Sequence, residues 1–304
     1  MKYYAIFALC SFALAQSTTT SSATGETAVA VVSSDHSQTL VTQSINGRQV
    51  PMQQTETHVL RKTENGSVTE TIVRRYDPNG QLTSTEKVVT EVENRPGGST
   101  TTSTTYRSDI NGNLSEAERK TVDSETHGQT TDVNTVVERP SINGGLEPMQ
   151  KSAAVIESKP DSSHEDETVY RPDGNGGFSV AERKISDTTR KNNETTQTTA
   201  LYQPIANASQ LQLSRQQVTR TVKQPDGSEQ QVVDYYQPSI PGVVRDPNAA
   251  PQLWEQDTIQ RKPGPDNTVV QTVVARRTDP NHPNQLGAPE QVSKTVCQGN
   301  CSGQ

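Results

Sequence analysis

Ser44-Ile45-Asn46-Gly47-Arg48-Gln49-Val50-Pro51-Met52-Gln53 returns further along the chain as Ser141-Ile142-Asn143-Gly144-Gly145-Leu146-Glu147-Pro148-Met149-Gln150. A second pair is Leu114-Ser115-Glu116-Ala117-Glu118-Arg119-Lys120 and Phe178-Ser179-Val180-Ala181-Glu182-Arg183-Lys184. In each copy an apolar residue follows a Gly/Asn-rich turn. The same event recurs at Val50, Leu82, Leu114, Leu146, Phe178, Leu211, Leu253 and Leu286, at intervals of 32, 32, 32, 32, 33, 42 and 33 residues. The long interval contains Pro238-Ser239-Ile240-Pro241-Gly242 and Asp246-Pro247-Asn248, which reads as a loop insertion. Self-similarity at a fixed period is the mark of a repeat architecture, here about eight tandem units of about 32 residues.

Each unit carries a second turn near its middle, such as Glu64-Asn65-Gly66-Ser67, Pro96-Gly97-Gly98, Lys159-Pro160-Asp161 and Pro225-Asp226-Gly227. Asp77-Pro78-Asn79-Gly80 has the chemistry of a type I turn followed by a left-handed glycine, the three-residue hairpin solution. Between turns the chain is Thr, Val, Tyr, Gln and charge, as in Val68-Thr69-Glu70-Thr71-Ile72-Val73. That density of β-branched residues, without a sustained apolar stripe of period 3.6, predicts strands. The expected fold is all-β: tandem β-hairpin repeats forming an extended or closed antiparallel meander over residues 39–304. Alternation along the strands is imperfect, so the apolar positions are expected to stack from unit to unit as one thin seam.

Composition agrees. Leu, Ile, Val and Phe make up about 18% of the chain, below the roughly 20% associated with disorder, although a net charge of −7 is modest. Mean hydropathy is −0.79, and no apolar run approaches the roughly 20 residues of a membrane-spanning helix. A compact enzyme with a thick core is disfavoured on the same ground. The sequence pI of 5.3, with basic and acidic residues interspersed, speaks against nucleic acid as a partner.

Residues 1–15 read as a signal peptide: Met1-Lys2 supplies positive charge, an apolar stretch follows, and Ala13-Leu14-Ala15 offers the small residues of a cleavage site. Residues 16–38 read as a low-complexity, flexible Ser/Thr-rich leader. Export would put Cys297 and Cys301, in Cys-Gln-Gly-Asn-Cys, into an oxidising compartment, where a disulfide is expected. The chain is thus expected to be secreted, in the periplasm or the extracellular space, with no membrane segment after cleavage.

No nucleophile elbow, zinc-protease helix, phosphate loop or dinucleotide fingerprint occurs. The five histidines read as exposed turn residues. Asp109, Asn111, Asp173 and Asn175 place carboxylate and amide oxygens at alternate positions, a fragment of a calcium loop, but hairpin turns require the same residues. One tyrosine precedes the main turn in most units (Tyr76, Tyr106, Tyr170, Tyr202, Tyr236), suited either to structural stacking or to a binding strip. Gln54, Glu86, Glu118, Gln150, Glu182, Arg215, Asp257 and Glu290, each four residues after an anchor, are expected to face solvent. Tyr76-Asp77-Pro78-Asn79-Gly80-Gln81-Leu82 resembles one copy of the tyrosine–aspartate repeats of secreted shell-forming proteins; their shorter period departs from the 32 residues here, and the resemblance implies no activity.

The functional expectation is an exported, non-catalytic repeat protein with a structural or interaction role at or beyond the cell envelope and no cofactor. The partner is unknown, with a protein or glycan surface in view. A carbohydrate-binding module or carbohydrate-active enzyme is the alternative, and a chain that orders only on meeting a partner is a third reading.

Overall fold

The structure, a computed structural model, describes residues 16–21, 26–32, 35–45, 47–204, 210–238, 251–265, 268–279 and 282–298. It is all-β, 81% strand with no helix among the described residues, and 17 consecutive antiparallel hairpin strands build an open meander. In chain order the strands are β1 (Gln16–Ser21), β2 (Glu26–Val32), β3 (His36–Ile45), β4 (Arg48–Thr63), β5 (Gly66–Tyr76), β6 (Leu82–Arg95), β7 (Gly98–Ser108) and β8 (Leu114–His127). Next come β9 (Thr130–Pro140), β10 (Leu146–Lys159), β11 (Ser162–Pro172), β12 (Phe178–Lys191), β13 (Glu194–Pro204), β14 (Leu211–Lys223) and β15 (Glu229–Gln237). Last are β16 (Gln252–Pro263), β17 (Thr268–Asp279), β18 (His282–Leu286) and β19 (Glu290–Gln298). The 16–38 stretch carries β1, β2 and the start of β3, with β1 paired to β2 and β2 to β3. The 1–15 segment and the insertion at 239–250 lie outside the described residues.

The 32-residue period has a simple anatomy. A 14-residue strand beginning at the anchor (β6, β8, β10, β12) meets a two-residue turn, an 11-residue strand (β7, β9, β11, β13) follows, and a second turn closes the unit. At Pro96-Gly97 the tight turn has Pro first and a glycine at φ +81° second, the requirement of a type II turn. The wider turn is the three-residue hairpin expected from sequence. The Gly80 N–H donates to the Asp77 C=O at 2.9 Å, and the Asp77 N–H donates to the Gln81 C=O at 2.8 Å. Gly80 itself is left-handed at φ +83°.

Unequal strands create a phase problem. Side chains alternate faces with period two, so a stagger of three residues per unit would turn every equivalent position to the opposite face. A β-bulge removes the odd residue. Lys151, five after its anchor, pairs with Tyr170, which pairs with Val180, two after the next anchor. Beyond the bulge, Ala154, eight after its anchor, connects through Glu167 to Lys184, six after. The stagger falls from three to two, and faces stay in phase. The extra residue lies three after the anchor in successive units: Met149, Ala181 and Ser214.

Contacts divide the chain into two compact units, Met1–Glu91 with Thr104–Ala117, and Val92–Ser103 with Glu118–Gln304. In the first, Val50 is buried. In the second, Ser152, Ala154, Ser186, Thr219, Val233 and Ala275 are buried. Tracing direct pairs across β10 to β17 places all six on one face. They are small, and their neighbours are long: Ala154 lies beside Glu167, Ser186 beside Glu165, and Ala275 beside Asp257. No described side chain is fully buried. A second layer would bury alternate residues completely, so the burial here is shading by long neighbouring side chains.

Two sequence expectations are corrected. The anchors do not make a closed seam: Leu82 is 55% exposed and Leu114 41%, because each begins its strand beside a turn. The polar row four residues on is largely half-buried, with only Arg215 and Glu290 of the eight exposed. Its members reach sideways. Glu86 accepts from Arg107 at 3.0 Å and Glu118 from Arg139 at 2.8 Å, both 21 residues away.

Three substitutions test this architecture by urea unfolding. Gly112, at φ +83°, has no atom within 4 Å of an added Cβ, so Gly112→Ala should cost only the left-handed backbone term of about 1–2 kcal/mol. At Gly98 an added Cβ would stand 2.2 Å from the Ser124 carbonyl oxygen, and the steric shift should cost about 1–3 kcal/mol. Deleting Ala181 should destabilise far more than Ala181→Gly, which should cost about 0.5–1 kcal/mol. Equal losses from the deletion and the substitution would refute the phase-keeping role of the bulge.

Candidate interaction surface

On the other face of the second unit, one row runs directly through Asp166, Ile185, Ala200, Gln216 and Tyr236. Tyr170 and Tyr202 alternate on their strands with Asp166 and Ala200, so Tyr170, Tyr202 and Tyr236 share this face. Each sits where the register shifts: between Val169 and Tyr170, Leu201 and Tyr202, and Tyr235 and Tyr236. Bulges re-aim side chains, and here each one is opposite a tyrosine. The surroundings repeat as well. Lys151, Arg183 and Gln216 pair with the three tyrosines on the preceding strand, and Val180, Leu213 and Leu253 on the following one.

The tyrosines do not touch as stacked neighbours. A whole strand separates consecutive ones, about 9.5 Å across the sheet with roughly 7–10 Å of displacement along it. They form a staircase of half-buried rings, each flanked by an aliphatic and a long polar side chain. Burial raises the Tyr236 hydroxyl above its ordinary pKa, with Asp234 adding to the effect. In the first unit, Tyr76 Oη donates to Gln54 Oε1 at 3.0 Å, and Lys87 Nζ lies 4.8 Å from the centre of the Tyr106 ring. Lys87 also faces Glu70 at 3.5 Å. Glu70 and Tyr76 share a face of β5, so Tyr76 and Tyr106 belong to one surface too.

Lateral ion pairs join the strands between the tyrosines. Arg183 holds Asp166 through two hydrogen bonds, and that guanidinium keeps the Asp166 carboxyl below its usual pKa. On the opposite face Lys184 contacts Glu165 at 2.7 Å and Glu167 at 3.6 Å. Exposed pairs of this kind contribute about 0.2–1 kcal/mol each. Two shallow clefts accompany them. One, of about 480 Å³, includes Arg277, Asp279 and Glu290; the other, of about 220 Å³, includes Glu157, His164 and Asp187.

The four calcium candidates lie in two of the wider turns, in separate units. Asp109 Oδ1 accepts from the Asn111 and Asn113 N–H groups at 2.8 and 2.9 Å, and Asp173 Oδ1 from Asn175 and Gly177 at 2.8 and 3.0 Å. These bonds order the turn, and the Asn113 N–H is the main reason the Asp109 carboxyl stays below its usual pKa. Cys297 lies on β19, opposite Val269; Cys301 and the Cys297 side chain lie outside what the structure describes.

Histidine placement was not legible as turn chemistry alone. His36 and His58 stand directly opposite each other on β3 and β4, 22 residues apart in sequence. The available signal was reflection about the Asn46-Gly47 turn, offset by the bulge at Met52. His164 pairs directly with Asp187, Nδ1 to Oδ1 at 2.7 Å.

The Asp187 hydrogen bond raises the His164 pKa against a smaller opposing effect of desolvation, with Asp166 and Glu157 adding charge attraction. A raised histidine pKa gives stability that is complete below the unfolded value of about 6.5 and is lost as pH rises through the folded one. A two-dimensional NMR titration should therefore find His164 titrating above the ordinary value, and Asp187→Asn should bring it down. An unchanged titration in that variant would remove Asp187 as the cause.

No family model matches the chain, and no curated protein shows significant similarity to it.

Proposed function

We propose that this chain is an exported, non-catalytic repeat protein whose polar sheet serves as a structural or interaction surface at or beyond the cell envelope. The observation that supports this most is the tyrosine staircase. Three rings recur on one face with the same displacement, the same bulge and the same kind of flanking pair. A surface that repeats every two strands suits an extended partner, contacted weakly at each station and in register along its length. Tyrosine supplies contact area at low entropic cost, because two χ angles fix the ring.

An exported carbohydrate-binding module is the second reading, because half-buried rings beside long polar groups also suit sugar rings. A carbohydrate-active enzyme belongs to the same reading. The mature chain, residues 16–304, should first give a β-sheet spectrum in the far-ultraviolet; a random-coil spectrum would defeat the folded-surface reading. It should then show neither retention nor hydrolysis on a glycan array and a polysaccharide hydrolase screen, with the Tyr106→Ala and Tyr170→Ala variants indistinguishable from it. Glycan retention lost on changing Tyr170 would establish the second reading. Robust hydrolysis would overturn the non-catalytic one.

A further inference from the structure

The strongest chemistry outside the tyrosine staircase lies at the start of the first unit. His36 pairs with His58, and His58 pairs in turn with Glu70, so β3, β4 and β5 contribute one row of three metal-ligating side chains on a single face. The backbone sharpens the geometry. The Val59 N–H donates to the Asp35 C=O at 2.9 Å, which makes Asp35 and Val59 the hydrogen-bonded pair. His36 and His58 are then the non-hydrogen-bonded pair, the type in which Cα atoms approach to about 4.5 Å and side chains are closest.

The two imidazole rings respond to that closeness. Their centroids are 4.6 Å apart and their planes are tilted by 37°. Two imidazoles bound to one tetrahedral ion, each at a metal–nitrogen distance of about 2.0–2.1 Å, need nearly this separation. Both residues are half-buried, so an ion can reach them while the strands hold the rings in place. Glu70 faces Lys87 at 3.5 Å, a long contact that does not tie up the carboxylate.

We propose that His36 and His58 form a cross-strand site for a first-row divalent ion such as Zn²⁺, with Glu70 as the third protein ligand and water completing the coordination. Imidazole nitrogen selects borderline metals over the hard, oxygen-seeking Ca²⁺ and Mg²⁺. The ligands come from three successive strands, so the ion binds only when those strands are paired. It would clamp the first hairpins, and stability would rise with free metal according to mass action. The site is independent of the function proposed above.

The test is isothermal titration of the full chain with Zn²⁺, followed by thermal unfolding with and without the metal. One ion should bind per chain and raise the unfolding midpoint, while Ca²⁺ at the same concentration should do neither. His36→Gln and His58→Gln should each weaken Zn²⁺ binding by at least about tenfold. Glu70→Gln should weaken it less, and His164→Gln should leave it unchanged. Circular dichroism of each variant separates loss of the site from loss of the fold. Absence of binding to the folded chain, or retention of full affinity in the folded double variant His36→Gln/His58→Gln, would overturn the assignment.

Discussion

Every strand in this protein depends on its two neighbours side by side, because no described side chain is enclosed from above or below. Cohesion therefore has to run within the plane of the sheet. Backbone ladder bonds contribute about 0.5–1.5 kcal/mol net each, and cross-strand side-chain pairs add roughly 0.2–1 kcal/mol. Both act only between strands in correct register. The bulge three residues after the anchor thereby acquires its importance. It turns an odd stagger into an even one, so that Glu167 meets Lys184 and Asp166 meets Ile185 on their proper faces. A flexible hairpin repeat without it would place each unit's surface on alternating sides.

The low apolar content follows from the same constraint. A globular core needs large side chains gathered in one place, whereas a sheet stabilised in its plane needs small residues beside long ones. Ala154, Ser186 and Ala275 are covered by the stems of Glu and Asp neighbours whose charged ends remain in solvent. Arg183 and Asp166, or Arg139 and Glu118, then use those ends to join adjacent strands. The polar residues that first suggest disorder are the lateral connections, which is why about 18% Leu, Ile, Val and Phe is compatible with a fold despite the threshold of roughly 20%.

What the sequence made legible was the repeat, its strands and its turns, because Gly, Asn, Asp and Pro mark backbone conformations directly. The Asp77 turn could be drawn in detail from four residues. Bulges were hidden, since Met149, Ala181 and Ser214 share a position and no chemistry. Side-chain exposure was misjudged for Leu82 and Leu114 because an apolar residue at a fixed phase was taken to imply cover, and a strand's first residue has little. The tyrosines were found by position, but their separation by intervening strands required the register. His36 and His58 were hidden for the same reason: pairing across a hairpin depends on one bulge residue, and an error of one moves a ring to the opposite face.

The regular stagger also governs how a partner could use the tyrosines. Each station offers one ring with an aliphatic neighbour on one side and a long polar one on the other, too little area for tight binding alone. Three stations with equal displacement change the arithmetic, because a partner held at Tyr170 meets Tyr202 and Tyr236 at a high effective concentration when its own repeat matches. Affinity then depends on spacing more than on any single contact. A partner with mismatched spacing gains one weak contact and little more, so the selectivity of such a surface comes from the same even stagger that keeps the faces in phase.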